Sequence, residues 1–201
     1  FLFMSFELLL PLASAIFIFF LGFFVWKKGK KEKMDFIFIL FSLVITIWMF
    51  GTFMMFLNKN NTVSIIFWDK FIYAGVVFIP ALLYPFGIAL TKNQIVKGRF
   101  LTILGYCLSI LFLLLLPTDF FVKDVFVYKW GVHTRAQLFH HIFLVYFATY
   151  LILWFLMVYR YYKIAPSVDR GKIKYCFLAF LFLAITGSFG YLPAYGISIY
   201  P

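Results

Sequence analysis

The chain has 201 residues, of which 65% are hydrophobic and 12% charged, whereas soluble domains are roughly half apolar and about a quarter charged. Its 7 acids and 18 bases cannot clothe a water-soluble fold of this size, so the apolar side chains face lipid. The net charge of +11 sits in short clusters between apolar runs, which excludes a basic nucleic-acid-binding face and points to membrane orientation instead.

Six segments carry no charged residue: Leu8–Trp26, Phe36–Leu57, Phe71–Leu90, Phe100–Leu116, Ile142–Tyr159 and Tyr175–Leu192. At 1.5 Å rise per residue they cover a hydrocarbon core of ~30 Å, the shortest with help from interfacial residues. Transmembrane strands would be about half as long and would alternate polar with apolar residues. The expected fold is therefore all-α, a polytopic transmembrane bundle of six spans forming one membrane domain over 1–201. The first span has no basic stretch before it and its charges follow it, the pattern of a retained helix and not of a cleaved signal peptide. The chain opens on Phe1 without an initiating Met, and a few upstream residues are expected.

The connections between spans set the orientation. Lys27, Lys28, Lys30, Lys31 and Lys33 follow span one; Lys92, Lys97 and Arg99 follow span three; Arg160, Lys163, Arg170, Lys172 and Lys174 follow span five. Only Lys59, Lys70, Lys123, Lys129 and Arg135 lie on the other side. By the positive-inside rule the first set is cytoplasmic and the amino terminus is outside. Pro201 is then outside too, and a seventh span is expected to return the chain to the cytoplasm. The longest outer connection, Pro117–His141, alternates apolar and polar residues over Asp124–Tyr128 before Lys129-Trp130-Gly131. That pattern supports a short extracellular strand or hairpin.

No catalytic constellation is present: there is no phosphate-binding glycine loop, no HExxH helix and no nucleophile with a base nearby in sequence. The spans lack the mid-membrane charges a pump or ion-coupled carrier needs. Cys107 and Cys176 fall within apolar runs and read as packing residues, not a disulfide. His133, His140 and His141 invite a metal hypothesis, but adjacent histidines on a helix point about 100° apart and nothing completes a first shell. They read as interfacial polar residues, and neither metal nor cofactor is expected.

The candidate receiving surface is the outer hairpin with the outer ends of spans one, three and six. Its candidate ligand-binding residues are Glu7, Trp68, Asp69, Trp130, His133, His140 and Tyr191. Glu7 is an interfacial acid or a counter-ion for Lys70 or Arg135, and Trp68 beside Asp69 and Lys70 reads as an anchor opening span three. Pro80 and Pro85 lie deeper and bend the helix, for packing or to line a cavity. Gly187 and Gly190 permit close helix approach, and Pro193 lies at the outer end of span six.

Two stretches resemble a known family. Phe67, Trp68, Lys70, Gly75, Phe78 and Pro80 form one pattern; Arg170, Lys172, Tyr175, Leu192, Pro193, Gly196, Ile197 and Pro201 form the other. Together they resemble the amino-terminal seven-helix sensor region of bacterial membrane histidine kinases, found also on diguanylate cyclases. The resemblance implies a bacterial inner-membrane input domain without catalysis of its own, relaying an extracellular or membrane stimulus to a cytoplasmic signalling domain. The expected partners are the lipid bilayer, an apolar or amphipathic ligand and a second copy in a homodimer; nucleic acid is not one. A structural or assembly subunit of a larger membrane complex is the alternative, and a transporter or channel the weaker one.

Overall fold

A computed structural model describes residues 6–92, 95 and 99–199, with side chains from Leu8 onward. It is an all-α polytopic bundle carrying one small β-hairpin. Helix α1 (Phe6–Lys28) ends in Lys27 and Lys28, whose charges suit the negative end of the helix dipole. Helix α2 (Lys33–Leu57) begins where the Asp35 carboxylate accepts the Glu32 N–H at 3.2 Å. Helices α5 (Phe100–Leu115), α6 (Leu138–Ile164) and α7 (Ser167–Phe189) follow in the second half. All but α5 are, singly or as a joined pair, long and apolar enough to cross a membrane, and α5 is a shorter apolar helix.

The third pass is built from two helices. α3 (Thr62–Val76) starts at Asn61, whose side-chain oxygen accepts the Ser64 N–H at 3.2 Å, and α4 (Ile79–Leu90) continues it past a break at Val77 and Phe78. Pro80 favours the break, because it has no N–H to donate and its ring crowds the carbonyl four residues before it. The Val77 carbonyl, left without its helical partner, accepts the Ser109 hydroxyl of α5 at 2.7 Å. The neighbouring helix thereby satisfies a backbone group that lipid could not.

Because α3 begins at Thr62, Trp68, Asp69 and Lys70 lie within a helix instead of opening one at Phe71. Freedom from charge marked the lipid-compatible stretch, whereas the cap at Asn61 marks the helix. Asp69 consequently sits on the inward stripe of α3, between Ile65, Ile72, Tyr73 and Val76, all buried. The picture of passes without a buried charge is corrected at this residue.

Within the connection between α5 and α6, strands β1 (Val122–Val127) and β2 (Val132–Ala136) pair antiparallel, with a register shift between Lys123 and Val125. Asp124 takes φ 59° there, and the turn closes with the Tyr128 N–H donating to Gly131 at 2.8 Å. The sheet lies on α3 and on the 3-10 turn Leu192–Tyr195 that follows α7.

Hydrophobic burial falls into two zones. Near the hairpin, Ile65, Tyr73, Phe112, Phe121, Phe143 and Tyr146 pack together. At the opposite, basic end, Phe41, Leu82, Trp154, Val158 and Tyr161 do so, with Trp154 and Tyr161 almost wholly enclosed. The outer faces of α1 and α7 expose Phe17, Phe20, Phe24, Phe182, Leu183 and Ile185, the apolar covering expected against lipid tails. At the basic end Lys92 bonds Asp169 at 2.6 Å, and this carboxylate holds the Lys92 ammonium above its ordinary pKa.

Candidate functional site

At the hairpin end a cavity of about 360 Å³ opens between α1, α2, α3 and α7, within the range of ligand-sized pockets. Its apolar wall includes Leu10, Trp48, Met49, Phe56 and Val76; its polar lining includes Asp69, Tyr73, His133 and Tyr191. Helix direction places the polar groups. α1 descends from the hairpin end while α2 and α7 climb towards it, so Met49 and Val76 lie deep and Asp69 and Tyr191 lie near the hairpin.

Asp69 is 2% exposed. The Thr134 hydroxyl of β2 donates to its carboxylate at 2.5 Å, and His133 Nδ1 lies 3.1 Å from the Thr134 carbonyl. Its neighbour Lys70 turns away, donating to the carbonyls of Pro117 and Thr118 at 3.0 and 3.2 Å. Among the described residues, the ion pairs join Lys70 and Lys123 to Asp119 and Lys92 to Asp169, and none includes Asp69. Burying a carboxylate costs several kcal/mol or more unless it is bonded and paired, so a buried acid in this setting marks a place where polarity is used.

Behind the cavity wall runs a second polar chain. Tyr73 of α3 bonds His140 Nε2 at 2.6 Å, and His140 Nδ1 lies 2.9 Å from the Tyr195 hydroxyl in the 3-10 turn. His140 has no exposed surface and meets Phe121, Tyr191 and Tyr195 edge-on. The expectation of an interfacial imidazole is corrected: both ring nitrogens are engaged inside the protein. His141, one position on, is exposed and bonds the Gln137 carbonyl.

Of the sequence candidates, Asp69, His133, Tyr191, Gly187 and Gly190 line the cavity. Trp68 points elsewhere, packing edge-on against Phe50, Phe67 and Phe71. Trp130 stacks on Tyr128 at 5.0 Å, and the Tyr128 hydroxyl donates to the Pro193 carbonyl at 2.6 Å, tying the hairpin to the turn after α7. Burial holds the Tyr128 hydroxyl above its ordinary pKa. Pro80 starts α4 and Pro85 lies inside it, both away from the cavity lining. Glu7 lies on α1, and its side chain is outside the described residues, as is Pro201.

Gly187 is not at a point of close helix approach. A Cβ at Gly187 would meet only Trp48, at 3.7 Å, whereas one at Gly75 would stand 2.8 Å from the Val44 carbonyl and one at Gly51 2.6 Å from Ile72. Those two positions hold α2 close against α3; a Cβ at Gly22 would likewise stand 2.7 Å from Ser42, between α1 and α2, and one at Gly87 2.8 Å from Trp154, between α4 and α6. Tyr73, Thr134 and Trp48 were not singled out from sequence. For Tyr73 the signal was available, since it follows Ile65, Asp69 and Ile72 at helical spacing.

Nothing among curated proteins or solved structures matches the chain. A family model for the N-terminal 7TM region of histidine kinase matches residues 10–201. That match takes in most of α1, the whole of α2 to α7 and the hairpin, and with it the chain belongs to the family of N-terminal 7TM regions of histidine kinases.

Proposed function

We propose that the chain is the sensory input domain of a bacterial histidine kinase, set in the plasma membrane with its amino terminus and hairpin outside. It relays a stimulus received at the hairpin end to a cytoplasmic kinase portion. The supporting observation is the joint formed there: Asp69 and Tyr73 of α3 are bonded to Thr134 of the hairpin and to His140 of α6, and His140 is bonded to Tyr195 after α7. One ligand-sized cavity touches α1, α2, α3, α7 and β2. An apolar or amphipathic molecule entering it would bear on several passes at once. It shifts signalling only if it binds one packing of those passes more tightly than another.

The segregation of bases supports the orientation. Lys27, Lys28, Lys30, Arg160, Lys163 and Arg170 lie at the end away from the hairpin. The test is autophosphorylation of the complete kinase in membrane vesicles, at matched protein levels, with Thr134→Val and Tyr73→Phe. Each removes one bond of the joint, and at least one is expected to change basal output. Unaltered output in both would favour a purely structural role for this domain.

A further inference from the structure

Resting on that sensory reading, we propose that the cavity beside Asp69 binds a free amphiphile with an amine-type cationic head, the head on the Asp69 carboxylate and the apolar tail running down towards Val76 and Met49. The cavity has the two-part chemistry such a molecule requires. Its deep wall is apolar, with Val76, Met49 and Trp48, and among the described residues its one carboxylate, Asp69, is at the hairpin end. From Asp69 to Val76 is seven residues of α3, a reach of about 10 Å along the helix.

The sign of the head follows from what surrounds Asp69. A carboxylate with 2% exposure needs hydrogen bonds and an opposite charge to offset its desolvation. The fold supplies the Thr134 hydroxyl but sends Lys70 to the carbonyls of Pro117 and Thr118. Among the described residues no Lys or Arg lines the cavity, and His133 is the one lining side chain able to carry a positive charge. An anionic head would meet this carboxylate at short range, and a purely apolar ligand would bury it further. An ammonium group instead gains a charge-assisted bond to Asp69, with the aromatic rings of Tyr73 and Tyr191 also in the lining. α1 packs on α2 while α7 packs on α6, and residues of α1, α2 and α7 meet at the cavity.

The experiment uses the complete kinase in phosphatidylcholine nanodiscs and three photoreactive eight-carbon probes bearing an ammonium, a hydroxyl or a carboxylate head. Labelled positions are mapped by peptide mass spectrometry. The ammonium probe should label 10–14, 48–56 and 186–191 at least about tenfold more than the carboxylate probe, a difference of about 1.4 kcal/mol. Asp69→Asn should bring that ratio to within about twofold while hydroxyl-probe labelling of the same segments persists, which shows that the cavity is still formed. Gly187→Leu, which fills the cavity from α7, should diminish labelling by all three. Equal labelling by the three heads, labelling confined to the outer faces of α1 and α7, or a head preference that survives Asp69→Asn would each overturn the proposal. Loss of labelling when phosphatidylethanolamine is added would also overturn it, by giving the site to a bilayer lipid. Kinase output is not read here, so failure leaves the sensory reading to its own test.

Discussion

The Tyr73 hydroxyl and His140 Nε2 stand 2.6 Å apart although 67 residues separate them, and this contact joins the third pass to the start of α6. The other imidazole nitrogen meets Tyr195 at 2.9 Å. A neutral imidazole donates from one nitrogen and accepts at the other, and a phenol does either, so both contacts are satisfied by one tautomer with each tyrosine in the complementary role.

Tyr73→Phe removes a partner from a histidine with no access to water. The unpaired nitrogen costs about 1–3 kcal/mol, so the midpoint of thermal unfolding in detergent should fall. Tyr195→Phe should cost less, because Tyr195 is 37% exposed and water can replace its hydroxyl. Equal losses in the two variants would mean that the buried bond is not the stronger anchor.

Helix contact distances make a sharper contrast between two glycines. At Gly75 a methyl group would press on the Val44 backbone carbonyl at 2.8 Å, which cannot yield without moving α2 from α3; at Gly187 it would meet Trp48 at an ordinary 3.7 Å. Gly75→Ala should therefore cost about 1–3 kcal/mol as an overpacked contact. Gly187→Ala should be close to neutral and narrow the cavity. Comparable unfolding midpoints for both would refute the close approach of α2 to α3 at Gly75.

Orientation is testable with single cysteines in a background where Cys107 and Cys176 are replaced. Lys30 and Pro166 are exposed at the basic end; Asn60 and Lys129 are exposed at the hairpin end. An impermeant thiol reagent applied to intact cells should modify the second pair and spare the first. Thr134 is unsuitable as a reporter, because it is fully buried and bonded to Asp69. The reverse labelling pattern would invert the proposed topology.

What the sequence disclosed follows from which forces act locally. Long charge-free runs mark lipid-facing helices directly, since a bilayer filters on hydrophobicity over some twenty residues. The beginning of α3 escaped that filter because Asp69 and Lys70 interrupt the run, although the spacing of Ile65, Asp69, Ile72, Tyr73 and Val76 places all five on one helical face. His140 is different in kind. Its partners are 67 and 55 residues away, and no local pattern distinguishes a buried, doubly bonded imidazole from an interfacial one. Gly187 and Gly75 were likewise alike as letters, and only the path of α2 past α3 separates them.

The break in the third pass yields the most demanding prediction, because two independent features hold it. Pro80 crowds the Val76 carbonyl and has no N–H to give it. From the side, Ser109 donates to the Val77 carbonyl at 2.7 Å, and its hydroxyl lies 3.0 Å from that of Tyr146, which donates to Gly105 at 2.9 Å. Pro80→Ala alone leaves the Ser109 bond in place, and the break should persist. Ser109→Ala alone strips a buried carbonyl of its partner while proline still forbids a straight helix, at a cost of about 1 kcal/mol. With both substitutions the backbone N–H groups at 80 and 81 become free to bond Val76 and Val77, and the helix should straighten. The double variant should therefore be more stable than the sum of the single losses, by more than about 0.5 kcal/mol, the margin within which independent sites add. Spin labels at Ser64 and Lys92, near the two ends of the joined helices, should move apart only in the double variant. In the complete kinase, that same variant should shift basal output at matched membrane levels, since a straightened third pass displaces the α3 residues bonded to the hairpin and α6. Additive energies and an unchanged label distance would show that tertiary packing sets the break, and that Pro80 and Ser109 only accommodate it.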